Sequence, residues 1–379
     1  MRRGRHFPIP ECPRDLDALW SRATRLDGDP LPGWLDAGAA ADYRRVDTVS
    51  LAGLSAEALA AAENEFGELE LAHLVVDADP LDPNLRHLYV AAPRPEPEWS
   101  IGLRAGPAAW SLPETVGVGP ALTAADVSDV PATFVADPFL VREGNAWWMF
   151  LEVMNWRSWK GEVGLATSGD GRTWRYEQIV LAEPFHLSYP QVFAADGETW
   201  MIPETAADGR VRLYRARRFP HAWEHAADLL EGLPFADATV VQHAGRWWMW
   251  VETSGGANDT LRLYAADVLR GPWREHPLSP VVRGDAMLAR PAGRVVDVDG
   301  RLVRFAQNCR PAYGTDVRAM EITTLTADDY AERPVADVPV LAPSGHGWNA
   351  GGMHHVDPVR LDDGTWLAAV DGWRLERPE

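Results

Sequence analysis

Acidic and polar side chains recur in this sequence about every 50 residues, the length of one supersecondary repeat. Asp137, Tyr189, Asp237, Arg290 and Asp357 each open a short apolar run that leads into a Gly-containing turn. Glu152, Glu204, Glu252, Gln307 and Asp371 each close the run that follows, as in WWMFLE, WMIPE and WWMWVE. A carboxylate at such a position can simply meet water. All five of these closing residues are polar and four are acidic. Carboxylates gathered in one place are costly unless arginines, hydroxyls or cations compensate. They are also the groups that move protons at a reacting bond. The same stretches supply histidines. His186 lies in HLSYP, and His354 and His355 end the glycine-rich segment GHGWNAGGMHH. The glycines there let backbone approach a ligand closely. Trp348 and Asn349 offer an apolar face and an amide to a sugar-like molecule.

The elements that must position these residues are hairpins. ADPFLVREGNAWWMFLEV (136–153), SYPQVFAADGETWMIPET (188–205), ADATVVQHAGRWWMWVET (236–253), ARPAGRVVDVDGRLVRFAQN (289–308) and VDPVRLDDGTWLAAVDG (356–372) each read as strand, turn and strand. A second, more polar pair follows each of the first four, as in GEVGLATSGDGRTWRYEQIVL (161–181). Two hairpins per repeat make a four-stranded sheet, and five such sheets make an all-β, five-bladed β-propeller. The fifth repeat lacks its second pair. WSIGLRAGPAAWSLPETVGV (99–118) has the layout of 161–180, so 99–123 is expected to supply the outer strands of the last blade and close the ring. In such a ring the openings of the inner strands converge at the axis. Because adjacent strand residues face opposite ways, only one of His354 and His355 is expected to point there. The WW pairs at 147–148 and 247–248 are expected to fill space between blades.

Residues 1–98 stand outside the repeat. YRRVDTVSL (43–51) and ELAHLVVDA (70–78) read as strands, and SAEALAAAENEFG (55–67) reads as a helix started by Ser55 and stopped by Gly67. This small N-terminal α/β extension is expected to pack on the 99–379 propeller. Composition narrows the partners. The net charge of −19 argues against nucleic acid and anionic membrane. The chain has no 18-residue apolar stretch and no signal-peptide apolar run, so a cytoplasmic protein is expected. Two cysteines supply neither a disulfide framework nor a zinc site. Nucleotide-cofactor and serine-hydrolase motifs are missing. The expectation is therefore a small or sugar-containing ligand, with no cofactor and no metal.

The layout with ADPF on the first inner strand resembles family 43 glycoside hydrolases and their invertase and levansucrase relatives. More closely, FVADPFLVREGNAWWMFLEV, GEVGLATSGDGRTW, FHLSYPQVF, MIPE and FADATVV resemble the propeller at the N-terminus of plant glucosamine inositolphosphorylceramide transferases and their bacterial stand-alone relatives, over about residues 99–373. In the plant proteins the transferase chemistry is assigned to a separate domain. The family 43 resemblance implies an inverting site with a base, an orienting Asp and an acid Glu. By position Asp137 matches the base and Asp237 resembles the orienting carboxylate, while a later blade opening holds Ala289-Arg290-Pro291 instead of the acid, so Glu204, Glu152 or Glu252 of the neighbouring ring is expected to substitute, Glu204 first. Arg290 occupies the blade-four opening, the kind of position where those hydrolases carry a catalytic carboxylate. It is expected to pair with Asp237 or bind an anionic group. In several family 43 enzymes a blade-five histidine supports an axial metal, a role His354 or His355 would echo. The sequence thus points to a carbohydrate-active, glycoside-hydrolase-like enzyme. Two alternatives stand beside it: a propeller recruited for non-hydrolytic acid–base chemistry on a small metabolite, and a non-catalytic sugar-binding module.

Overall fold

The computed structural model describes residues 97–375, apart from 156, 157 and 159. Upstream it describes the strands Thr24–Arg25, Tyr43–Ser50, Leu74–Ala78 and Leu85–Ala91, with a few residues between them. The chain divides into two compact units, 1–96 with 377–379, and 97–376. In the first unit the four strands form one antiparallel sheet, in which Leu85–Ala91 lies between Tyr43–Ser50 and Leu74–Ala78. The helix expected over 55–67 lies mostly outside the described residues.

The second unit is a five-bladed propeller. The strands of blade 1, from axis to rim, are Ala132–Glu143, Ala146–Asn155, Lys160–Ser168 and Arg175–Leu181. Blade 2 holds Ser188–Ala195, Glu198–Glu204, Arg210–Arg218 and Ala222–Glu231. Blade 3 holds Ala236–His243, Arg246–Glu252 and Thr260–Ala266, whose outer edge pairs with Arg274–Glu275 and Val282–Arg283. The inner strand of blade 4 is broken into Arg290–Pro291 and Val296–Val298, followed by Arg301–Asn308, Asp316–Leu325 and Tyr330–Pro334. Blade 5 holds Val356–Arg360 and Trp366–Leu375, and its third and fourth strands are Pro97–Gly106 and Glu114–Val116. Ten residues of Pro97–Gly106 pair with Trp366–Leu375, so the two ends of the propeller meet in one sheet.

Turn chemistry fixes the inner hairpins. Asp196–Gly197, Ala244–Gly245 and Asp299–Gly300 are two-residue loops with both φ angles positive. That geometry matches the twist of the flanking strands, and Gly adopts it without a Cβ clash. Each of the five blade interfaces then has its own apolar core. Phe150 and Leu165 of blade 1 meet Val192 and Met201 of blade 2. Trp200 and Leu213 meet Trp247 and Met249 of blade 3, whose Trp248 and Trp250 pack with Leu302 and Ile322 of blade 4. Val303 and Phe305 meet Trp366 and Val370 of blade 5. Ile101, Leu103 and Leu367 close the circle on Trp147 and Met149. Trp247 and Trp248 illustrate the two-residue period: neighbours in sequence, they fill opposite interfaces.

At the axis, one layer is packed solid by side chains from all five inner strands. The Tyr189 hydroxyl (blade 2) lies 2.7 Å from Thr239 Oγ1 (blade 3) and also bonds both the N–H and the C=O of Gly293 (blade 4), at 2.6 and 2.9 Å. Arg294 pairs with Asp357 of blade 5 and donates to the Leu140 carbonyl of blade 1 at 2.8 Å. Phe139, Tyr189, His355 and Asp357 are all buried in this layer.

Candidate active site

A second axial layer carries the chemistry, and a backbone irregularity repeated in three blades builds it. Asp137, Tyr189 and Asp237 have φ of 51°, 47° and 53°, left-handed values that non-glycine residues seldom adopt. In each case the register with the second strand slips there, between Ala136 and Phe139, Ser188 and Gln191, and Ala236 and Thr239. Such a bulge re-aims a side chain that a regular strand would send into the blade interface. Left-handed backbone of this kind is kept where the surroundings enforce it. The Asp137 N–H donates to Asp371 Oδ2 at 2.9 Å, and Asp137 Oδ2 accepts the Tyr189 N–H at 3.1 Å.

Around Asp137 the groups close in. His354 Nε2 lies 3.7 Å and His355 Nδ1 3.6 Å from Asp137 Oδ1. His354 Nδ1 is 2.7 Å from Asp371 Oδ1, which also accepts the His355 N–H at 3.0 Å. Burial opposes a charge on His354, but Asp371 and Asp137 outweigh it and raise the imidazole pKa. Burial would raise Asp371, yet His354 pulls it below the usual carboxylate range. Each group of the dyad thus favours the charged form of the other. Burial pushes the His355 pKa down to about 3, so it stays neutral. Burial pushes Asp137 up to about 7, helped by Asp237 and Asp371 and restrained by His354 and Arg290.

On the other side of the layer, Arg290 Nε donates to Asp237 Oδ2 at 2.6 Å, NH2 to Glu204 Oε2 at 3.2 Å and NH1 to Asn258 Oδ1 at 2.9 Å. Asp237 is also pushed to about 7, by burial first and then by Glu204, against the pull of Arg290. Glu152 stands further round the ring. Burial and the charges of Asp137, Glu204 and Asp237 hold its carboxyl well above the ordinary range. His186 Nδ1 accepts the Gly161 N–H at 2.9 Å, which turns Nε2 toward Glu152 Oε1 at 3.4 Å. Burial and Arg290 lower the His186 pKa. The layer reaches solvent through Glu204, Arg290 and His186, whose side chains are 13%, 14% and 35% exposed.

The structure thus brings Asp137, Glu152, Glu204, Asp237, Arg290, His186, His354 and His355 into one constellation. Other sequence candidates do different work. The Tyr189 hydroxyl is used up in the packed layer below. Glu252 caps its own turn, accepting from the Ser254 N–H at 2.6 Å and from the Ser254 hydroxyl. The amide of Asn349 holds its loop together through Ser344 and Met353. Gln307 pairs with Arg290 through the backbone, and its buried Nε2 has no partner among the described residues. Asp357, read as a neighbour of Asp137, lies one layer deeper, where it accepts the Leu140 N–H at 2.6 Å. The expectation that only one of His354 and His355 faces the axis is corrected, since both approach the same Asp137 oxygen. The inner strand of blade 5 starts at Val356, so strand alternation does not govern the two histidines. Sequence reasoning missed Asn258, Trp99 and Tyr313. Trp99 stacks on His354 at 4.1 Å, and Tyr313 lies under the Arg290 guanidinium at 5.2 Å. A glycine directly follows Tyr313 in the loop between Arg301–Asn308 and Asp316–Leu325, but nothing in that loop sequence marks the ring itself. Asp137, His354 and Asp371 offer donor atoms within 4.8 Å of one another. The hydrogen bond from His354 to Asp371 uses Nδ1 and leaves Nε2 turned toward Asp137.

Fold and site together define a five-bladed β-propeller with a buried acid–base cluster on its axis. The chain belongs to the family described as Glucosamine inositolphosphorylceramide transferase 1, N-terminal, whose model matches residues 97–373. It is 37% identical over 265 residues to Glucosamine inositolphosphorylceramide transferase 1 of Oryza sativa subsp. japonica, covering 68% of this chain and 36% of the relative. The Arabidopsis thaliana protein of the same name is 34% identical over 302 residues, covering 74% of this chain and 39% of the relative. The match therefore spans little more than a third of those proteins. Among solved structures, the catalytic domain of the Coprinopsis cinerea GH62 alpha-L-arabinofuranosidase aligns with a TM-score of 0.50 at 14% identity, covering 74% of this chain and 98% of that one. That likeness concerns the fold alone. No helix among the described residues is long and apolar enough to cross a membrane.

Proposed function

We propose that the axial cluster is a catalytic site for acid–base chemistry on a sugar-containing substrate, with Asp137 as the group that exchanges the proton. One observation carries this reading. A buried carboxyl with a pKa of about 7 is fixed by a backbone bulge beside the His354–Asp371 dyad. A general base works best when its pKa lies near the working pH. In its ionised form Asp137 takes the proton of an attacking hydroxyl or water. Asp237 and Glu204 face the reacting region from the Arg290 side. The substrates to try first contain an amino sugar and an inositol phosphate, because the rice and Arabidopsis relatives carry glucosamine and inositolphosphorylceramide in their names. Arg290 favours a reaction other than ordinary glycoside hydrolysis. Its guanidinium stays charged and offers no proton to a leaving group.

Product analysis on the full chain tests this, comparing aryl arabinosides and xylosides with glucosaminyl inositol phosphates. The expectation is negligible hydrolysis of the aryl glycosides and turnover of the second class. That turnover should rise as pH passes through about 7, where Asp137 loses its proton. Asp137→Asn should lower it at least ~10²-fold, the lower range for a lost general base. A wild-type protein that binds such sugars and turns over none of them sinks the catalytic reading and leaves a binding module.

A further inference from the structure

Tyr313 is the one aromatic residue among the exposed large apolar side chains of the described residues, at 42% exposure. It sits at the mouth of the axial cluster, in the loop that joins Arg301–Asn308 to Asp316–Leu325 of blade 4. One face of its ring takes the Arg290 guanidinium at 5.2 Å. It meets His354 and Trp99 edge to face, with centroids at 5.4 and 6.2 Å and interplanar angles of 75°. Among the described residues its hydroxyl makes no hydrogen bond.

The loop holds this ring still. Gly314 has φ 69° and lies so close to the Trp99 ring that a Cβ would collide with it and come within 3.3 Å of His354 Cβ. Trp373 Nε1 donates to the Gly314 carbonyl at 3.0 Å. The Thr315 N–H donates to the Asn308 carbonyl at 3.0 Å, and the Thr315 hydroxyl to the Ala312 carbonyl at 2.8 Å. A residue present only to pack would be covered. This one is preorganised, half open and beside proton-transfer groups, and its polar end is free. Arg290 is committed to Asp237, Glu204 and Asn258, so it backs the ring rather than gripping an anion.

We propose that Tyr313 is a ligand-contacting wall of the axial site, stacking on the apolar face of a pyranose-sized sugar ring and donating its hydroxyl to a sugar oxygen. The proposal rests on the axial cluster being the ligand site, and it adds the recognising residue and the shape of what it recognises. An aromatic ring offers large contact area at low entropic cost, with a polar handle at one end.

Calorimetric titration of the full chain with glucosamine and with methyl glucoside tests it. The wild type should bind at least one of them saturably. Tyr313→Ala should weaken that binding about tenfold and Tyr313→Phe about threefold, with melting temperatures unchanged because Tyr313 lies outside the blade cores. If the alanine variant folds poorly, Tyr313→Trp and Tyr313→Leu decide instead. Tryptophan keeps the aromatic face and leucine removes it, so equal affinities overturn the proposal. So does wild-type affinity in Tyr313→Ala, or no saturable binding of either sugar. Sugar binding that depends on Tyr313 without turnover would sink only the catalytic reading. Turnover with unchanged KM in Tyr313→Ala would sink only this one.

Discussion

Asp137 shows how a single residue records its surroundings. Its pKa stands near 7 in the fold against an ordinary 3.8. Between those values the folded protein keeps a proton that the unfolded chain has released. Stability therefore falls as pH rises from about 4 to about 7 and levels off above. An asparagine does not titrate, and its side-chain oxygen can still accept the Tyr189 N–H. The expected outcome is a melting-temperature difference between Asp137→Asn and wild type that is small at pH 5 and grows in favour of the variant by pH 8. A difference that stays constant across that range would show that the carboxyl is ionised throughout. At this scale the sequence was informative about residue type and poor about orientation. The recurrence of Asp137 and Asp237 marked them, and the guanidinium expected against Asp237 is there. Nothing in the letters HH says that both rings would approach one oxygen, because that follows from where the strand starts. Tyr313 was illegible for a related reason, since its place beside Arg290 depends on how the loop folds.

Among elements, the inner strands are tied to one another across the axis, and Tyr189 is the main tie. Tyr189→Phe would strip partners from the Gly293 N–H and C=O, both in the packed layer. Leaving a buried polar group unsatisfied costs roughly 1–3 kcal/mol. Urea unfolding should therefore show a loss of about 3 kcal/mol, and a loss below about 0.5 kcal/mol would mean that the layer is held by packing alone. Hairpin positions were readable because Asp-Gly and Ala-Gly turns and two-residue alternation are local signals. The bulges were not. Their left-handed residues are Asp and Tyr, and the cause is the neighbouring blade, as in the Asp371 carboxylate that holds the Asp137 N–H. Asp357 was misplaced for the same reason. Its strand has no bulge and runs in regular register with Trp366–Leu375, so its side chain falls a layer lower.

For the whole molecule, the five repeats and their closure follow from arithmetic on the sequence, since an unfinished fifth repeat needs two strands from elsewhere. Pro97–Gly106 lies between Trp366–Leu375 and Glu114–Val116. Removing residues 1–118 would expose the length of Trp366–Leu375 as an unpaired edge and open the core that joins blades 5 and 1. That chain should lack a cooperative thermal transition, whereas removal of 1–96 alone should leave the transition within a few degrees of the full chain. A sharp transition in the shorter chain would show that the ring does not need its closing strands.

The layer made by Phe139, Tyr189, His355, Arg294 and Asp357 has a consequence for molecular traffic. It fills the axis beneath the acid–base cluster with buried, hydrogen-bonded side chains, so a ligand of the proposed site would have the other side of the cluster as its approach. Such a ligand would arrive and depart on the side where Tyr313 and His186 are partly exposed. If two reactants are joined there, the second would either lie alongside the first on that side or wait until the first has left something behind.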